Sequence, residues 1–533
     1  MKLAMHPIDL IVIVVYLIGI VTIGCWAGLR RQRTTGGKGY FLAGRSLSWS
    51  VIGLSLFSTN ISTIHLVSLA QEGYANGLVY GNFEWMAAFT LIALSLFFAP
   101  FYIRANVTTL PDFLEKRYNR SCRDWLAFIS IVSAIFIHIG FSLYAGAVVL
   151  RGLFGINIMV SIITISILTG LYTIIGGLLA VVITESIQTV ILVIGAVCIT
   201  AIAYHNVGGW SELSAAVDPV KLTMLRPPGD PSGLPWYSVF LGYPVIGLWY
   251  WCADQTIVQR VLGAKDENHA RVGPLFAGFI KILPVFIFVL PGLLCLGLIN
   301  QGKLPDTITD SADTYAFMIS HLLPIGLKGI VAAALLAALM STVSGALNSI
   351  ATLFSYDIYK RWRPDTSERN LVIVGRIVTF IAMILAITWS PFVSHFRSIF
   401  QGLNVIISYL APPITVVFLC GIFWKRASAS AALITLWSGS AMGFVVFLLD
   451  WFNEYTGWNV PFMMMAFYLF VICLVIMVVL SLFKQHSHTA ESEVLVWDNP
   501  LETFHSEGWR GIGNYKFLSA LLFCTIVILY IIF

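Results

Sequence analysis

Apolar runs about twenty residues long recur along nearly the whole chain, set apart by short polar stretches. Taken as bilayer-length windows, they predict fourteen spans. These lie near 8–29, 47–72, 79–102, 123–151, 155–178, 180–204, 236–262, 271–298, 326–359, 370–390, 395–422, 429–450, 461–484 and 513–533. Two of them, 123–151 and 326–359, exceed what a bilayer needs and are expected to tilt or reach into water. The expected fold class is an all-α integral membrane protein. The first run has no small-residue cleavage site before its basic flank, so it reads as a retained helix, not a removed signal peptide.

Charge orients these spans. With the N-terminus outside, alternating loops put 23 of the 31 Lys and Arg residues inside and 7 outside, Lys281 lying within a span. The inside clusters fall at 30–45, 104–123, 260–271, 360–376, 425–426 and 484–516. This asymmetry follows the positive-inside rule and predicts that both termini are external. Segments 206–235 and 299–325 outside, and 485–512 inside, are long enough for short helices.

Composition agrees: 58% of the 533 residues are hydrophobic and only 11% charged, with mean hydropathy +0.87. Soluble domains carry about 25% charged residues. Basic cytoplasmic loops account for the net charge of +5, so it calls for no nucleic-acid partner. The eight cysteines lack paired loop spacing, which argues against a disulfide framework or a zinc site. No Gly-rich phosphate loop is present, and an ATP-driven pump would need one. The energy source is therefore expected to be an ion gradient. Glu185 and His65 are conceivable as acid and base, yet no nucleophile or metal constellation accompanies them, so the chain does not read as an enzyme.

Costly residues mark the interior. Lys281 sits about ten residues inside an apolar segment, where a cation costs about 2.5–3.5 kcal/mol or more to insert. Asn60, His65, Glu84 and Glu185 also fall inside apolar spans. The second span contains SLFSTNISTIHLVSLA, whose mid-helix hydroxyl and amide groups offer the backbone alternative partners. Two readings stand: a discontinuous helix with carbonyls free to ligate a cation, or an ordinary helix–helix interface. In the ninth span, Ser341, Thr342, Ser344 and Asn348 set neutral oxygens within two turns, suited to a hard cation or to close packing.

Several stretches then carry a specific likeness: YFLAGRSLSW, TNIST, FEW at 83–85, GGLLAVVITESIQ at 176–188 and WYWCADQTIVQRVLGAK at 249–265. IKILP at 280–284, LNSIATLFSYDIYKRW at 347–362 and SYLAPPITVVFLCGIFWKR at 408–426 continue it. In these the chain resembles the sodium/solute symporter family, and within it the sodium–glucose cotransporter branch. The resemblance implies two inverted five-helix repeats whose first helices are discontinuous. Residues 1–46 would be a leading helix and cytoplasmic loop, 47–205 the first repeat and 206–235 an external loop. Residues 236–426 would be the second repeat and 427–533 three additional helices.

The resemblance further implies Na+ as coupling ion, held by backbone carbonyls of Ser58, Ile61 and Ala338 and the hydroxyls of Ser341 and Thr342. It implies a sugar site of Asn60, His65, Glu84, Tyr250 and Lys281, with Phe400 and Asn404 lining it and Tyr250 as the inner gate. A sugar hydroxyl both donates and accepts, and this set offers both kinds of partner. A second sodium position in some members would fall on Thr59, Glu185, Thr342 and Ser344, with Glu where Asp is usual and Gly345 where a serine is usual. That position is either rebuilt around the longer carboxylate or absent. Asn404 replaces a glutamine, and Gly247 and Ala87 replace polar residues, so the expected pocket is roomier and less polar on one side. A hexose-like sugar is the expected substrate. A cyclitol, a sialic acid, a monocarboxylate, a solute-gated sensor or channel on the same scaffold, and proton coupling at Glu185 are the alternatives. The compact chain suggests a bacterial inner membrane.

Overall fold

The computed structural model describes residues 6–306, 308, 311–395, 399–483 and 489–533. The chain is helical throughout. Among the described residues the strand-like pairings are two isolated bridges, Leu47 with Ala264 and Arg226 with Pro235. Among the described residues, eleven helical stretches are long and apolar enough to cross a membrane. The two longest, His65–Arg104 and Ile158–Val207, run to 40 and 50 residues.

The helices used below are α1 (Pro7–Leu42), α2 (Trp49–Asn60), α3 (Thr63–Asn76), α4 (Asn82–Ala93), α5 (Arg120–Ser133), α6 (Gly140–Phe154), α7 (Ile158–Val207), α8 (Trp236–Leu248) and α9 (Gln255–Leu262). They continue as α10 (Glu267–Ile280), α11 (Leu290–Asn300), α12 (Leu327–Leu353), α13 (Glu368–Trp389), α14 (Ile399–Phe423), α15 (Ala429–Trp451), α16 (Phe462–Phe483) and α17 (Tyr515–Ile532). Helix α1 runs on through the basic stretch that the charge pattern had assigned to a loop. Helix α7 bends at Gly177, where φ is 60°, and the expected spans 155–178 and 180–204 lie on either side. A Cβ at Gly177 would stand 2.4 Å from the Tyr40 carbonyl oxygen, so this corner needs glycine.

Helix breaks fall where the polar residues gather. Ile61 and Ser62 are extended between α2 and α3, which resolves the second-span alternatives in favour of a discontinuous helix. A π turn, Trp249–Ala253, follows α8, and extended Asp254 caps α9 through its carboxylate. Helix α10 ends at Lys281, ahead of Pro284 and a second π turn, Val285–Val289. Buried α12 packs against α1 and α7, α10 against α2, and α11 against α3. The α3–α11 approach is close: a Cβ at Gly292 would lie 1.8 Å from the Ala70 carbonyl oxygen. Helices α14, α15 and α16 pack on one another, and α17 covers α10 and α4. Short helices do occupy the long connections, at Trp210–Ala216, Thr314–Leu322 and Ala490–Glu493.

Candidate functional site

A cavity with about 830 Å³ of empty space, open solvent at its mouth included, lies among the broken helices. It is lined by Asn60, His65, Glu84, Tyr250, Lys281 and Asn404, six of the seven residues expected around a substrate. The seventh, Phe400, has its side chain outside the described residues.

Lys281 reaches the cavity because α10 stops there, which leaves its side chain at a helix end facing α2 and α4. Its ammonium donates to the Glu84 carboxylate and to the amide oxygen of Asn60. Lys281 and Glu84 are each 1% exposed, so the ion pair is withdrawn from lipid and water alike. The face of Trp251 lies 5.6 Å from the ammonium and adds a cation–π contact. The Asn60 amide nitrogen in turn donates to the Tyr250 hydroxyl at 3.1 Å. Lys281, Asn60 and Tyr250 thus form one polar chain across the cavity.

His65 has a second task that its position in the sequence does not announce. Its Nδ1 accepts from the Ser62 backbone N–H at 3.3 Å and stands 3.0 Å from the Ser62 hydroxyl, closing a capping box at the start of α3. With Nδ1 accepting, the neutral ring carries its proton on Nε2, so the imidazole can offer the cavity a donor.

Oxygens gather beside the break in α2. The Ser341 hydroxyl donates to the carbonyl of Ser58 at 2.8 Å and lies 3.0 Å from that of Ala338. The Thr342 hydroxyl is 3.2 Å from the Ala338 carbonyl and 3.3 Å from that of Thr59. Ile61, fully buried in the break, belongs to neither helix. All five expected ligand residues are buried. Among the described residues no group of three His, Cys, Asp or Glu side chains is placed to hold a metal ion. The neutral oxygens at the α2–α12 contact are the kind of set a hard monovalent cation takes.

The possible second ion position is built differently. Thr59 and Glu185 do meet, at 2.9 Å, and the other Glu185 oxygen accepts from Ser55. A guanidinium is there too: Arg260 Nη2 donates to Glu185 Oε1 at 2.7 Å, and both side chains are fully buried. A Cβ at Gly345 would come within 2.4 Å of that same nitrogen. The Ser344 hydroxyl turns away to the Ser341 carbonyl at 3.0 Å. Arg260, like Arg271 at 1% exposed, had been counted as a loop charge, and both are interior residues. Glu185 needs a counter-charge for the same reason as Glu84, but its partner Arg260 lies at the end of an apolar span among basic loop residues, and only the fold turns it inward.

Other cavity residues were not among those expected at the site. Phe83, His138, Ser142 and Trp251 also line the space. His138 sits in an apolar run, in a π turn, Ala134–Ile139, between α5 and α6. Its Nε2 lies 3.2 Å from Asp254 Oδ2.

The protein-family comparison matches residues 40–439 to the model described as "Sodium:solute symporter family". Sodium/glucose cotransporter 1 of Oryctolagus cuniculus is 35% identical over 528 residues, spanning 90% of this chain and 79% of that protein. Sodium/myo-inositol cotransporter 2 of Sus scrofa is 36% identical over 483 residues, spanning 84% of this chain and 70% of that protein. Among solved structures, a Na+-coupled sialic acid symporter in a substrate-bound, outward-open state superposes with TM-score 0.79 at 23% identity. That match covers 91% of this chain and all of the other, and it extends the likeness to the fold of a multi-span, all-α membrane protein. The chain belongs to the sodium:solute symporter family.

Proposed function

We propose that this protein is a sodium-coupled symporter of a hexose-like sugar, working by alternating access. In this reading residues 47–205 and 236–426 are two inverted five-helix repeats that rock about the cavity. The leading helix and three C-terminal helices frame them, making fourteen crossings with both termini external. One observation carries the reading: a cavity holding Glu84, Lys281, Asn60 and His65 lies beside the neutral-oxygen cluster of Ser58, Ala338, Ser341 and Thr342. Donors and acceptors suit a belt of hydroxyls. The names of the cotransporters similar to this chain agree.

Sodium entering from outside would bind at Ser58, Ile61, Ala338, Ser341 and Thr342 and fix the α2 break. This would preorganise Asn60 and His65 for the sugar, with Phe400 and Asn404 along the wall and Tyr250 as inner gate. Because Lys281 is paired with Glu84, it does not offer the lone cation that a carboxylated substrate would want. The Arg260 guanidinium against Glu185 supports one sodium per substrate, with Thr59, Glu185 and Ser344 serving as a structural network. One charge crossing 100 mV supplies about 2.3 kcal/mol, which sustains roughly 40- to 50-fold accumulation.

A second reading, a cyclitol substrate, is favoured by the small Gly247 on the cavity wall and by the myo-inositol cotransporter named above. The similar cotransporters are animal proteins, which lends no support to the bacterial membrane expected from the compact chain. Uptake of labelled hexoses and myo-inositol into proteoliposomes, with and without an inward sodium gradient, tests the proposal. Sodium-driven accumulation of a hexose supports it. Accumulation of the cyclitol alone selects the second reading, and accumulation of neither rejects both.

A further inference from the structure

His138 and Asp254 are buried polar partners that the transport scheme above does not use. His138 belongs to the first proposed repeat and Asp254 to the second, so their 3.2 Å contact ties the two together. They are 9% and 7% exposed. Asp254 follows Tyr250 by one turn, in the direction of the basic loop that the charge pattern places inside. The contact therefore lies beneath Tyr250 on the cytoplasmic side. The imidazole and Tyr250 ring centroids are 6.3 Å apart, with the two rings tilted against each other.

The two carboxylate oxygens of Asp254 are divided. Oδ1 accepts from the backbone N–H of Thr256 at 2.7 Å and of Ile257 at 3.3 Å, which caps α9. Oδ2 faces His138. Breaking the histidine contact leaves the cap intact, so the contact can open and close without unravelling α9. Helix α9 is itself tied down, through Gln255 to the Leu110 N–H at 2.8 Å and through Gln259 to Phe41 and Thr352. An ionised carboxylate accepts, so Nε2 donates. That donor is then committed to Asp254 and is not available to a sugar.

We propose that the His138–Asp254 hydrogen bond is a latch closing the cavity floor between the two repeats, and that His138 is a positioning residue governing inward release. The inference rests on the alternating-access reading. The latch holds Tyr250 over the floor, and inward opening requires that it break.

Cys252, fully buried between Tyr250 and Asp254, is a native reporter of floor opening. Alkylation of Cys252 in the purified full-length protein, followed by peptide mass spectrometry, is compared for wild type, His138→Ala, His138→Gln and Asp254→Asn. Sodium-driven hexose uptake is measured alongside. The latch predicts about tenfold faster Cys252 alkylation in His138→Ala and Asp254→Asn, the loss expected when a hydrogen bond to a charged group goes. It also predicts a raised external KM with an unchanged rank order of competing sugars. His138→Gln keeps a donor and is expected within about twofold of wild type. Unchanged alkylation in both disrupting variants overturns the proposal. So does an altered sugar ranking with unchanged alkylation, which would make His138 a substrate ligand. If His138→Ala fails to fold, Asp254→Asn carries the test. Alkylation is read without transport, so absent uptake in wild type would sink the symport reading separately from the latch.

Discussion

The Lys281 ammonium donates at once to the Glu84 carboxylate and the Asn60 amide oxygen, so one buried cation joins the end of α10 to α4 and α2. Insertion of a lone lysine at that depth would be costly. The ion pair answers that cost and leaves a polar patch facing the cavity.

Removing one partner strands the other. Glu84→Gln and Lys281→Met are each expected to abolish sugar uptake and to destabilise the fold by about 3–5 kcal/mol. The double substitution is expected to regain most of the stability and none of the transport. Thermal unfolding of the purified variants, beside uptake, checks this.

At the proposed ion site, Ser341→Ala and Thr342→Ala each remove one neutral oxygen beside the α2 break. The sodium concentration for half-maximal uptake is expected to rise about tenfold, a change of about 1.4 kcal/mol. The ranking of competing sugars is expected to stay the same. A sodium titration at saturating sugar reads the effect.

Tyr250→Phe deletes the hydroxyl that accepts from Asn60 at 3.1 Å. The loss of a neutral hydrogen bond, about 0.5–1.5 kcal/mol, should weaken sugar affinity roughly two- to tenfold. Tyr250→Ala should in addition remove the proposed gate and permit sugar-free sodium leak, read as a sodium current without substrate.

Glu185 and Arg260 predict the stoichiometry. With a guanidinium already on the carboxylate at 2.7 Å, sodium activation is expected to be hyperbolic, with one charge moved per sugar. Simultaneous current and tracer flux measure the ratio, and a value of two would restore a second sodium site at Thr59, Glu185 and Ser344.

Much of this was legible in the sequence, for a physical reason. Bilayer length forces apolar runs that are hard to mistake, and buried polar residues stand out against them. The α2 break was one of two readings open there, because Ser58, Thr59, Asn60, Ser62 and Thr63 crowd one stretch, and the backbone at Ile61 and Ser62 decided between them. What stayed hidden depends on distant partners. Arg260 reads as a loop charge until α9 turns it onto Glu185. His138 has no motif around it, and only the π turn and the extended Asp254 bring the two together. His65 was found as a polar residue in the right place, while its capping contact with Ser62 follows from the break itself.

The most direct measurement is accumulation of labelled hexose in proteoliposomes under an inward sodium gradient, for wild type, Ser341→Ala and Glu84→Gln. The account predicts that wild type concentrates the sugar only when sodium is present. Ser341→Ala should regain uptake at high sodium, and Glu84→Gln should stay inactive at any sodium concentration. Equal uptake with and without sodium, or full activity in Glu84→Gln, would contradict it.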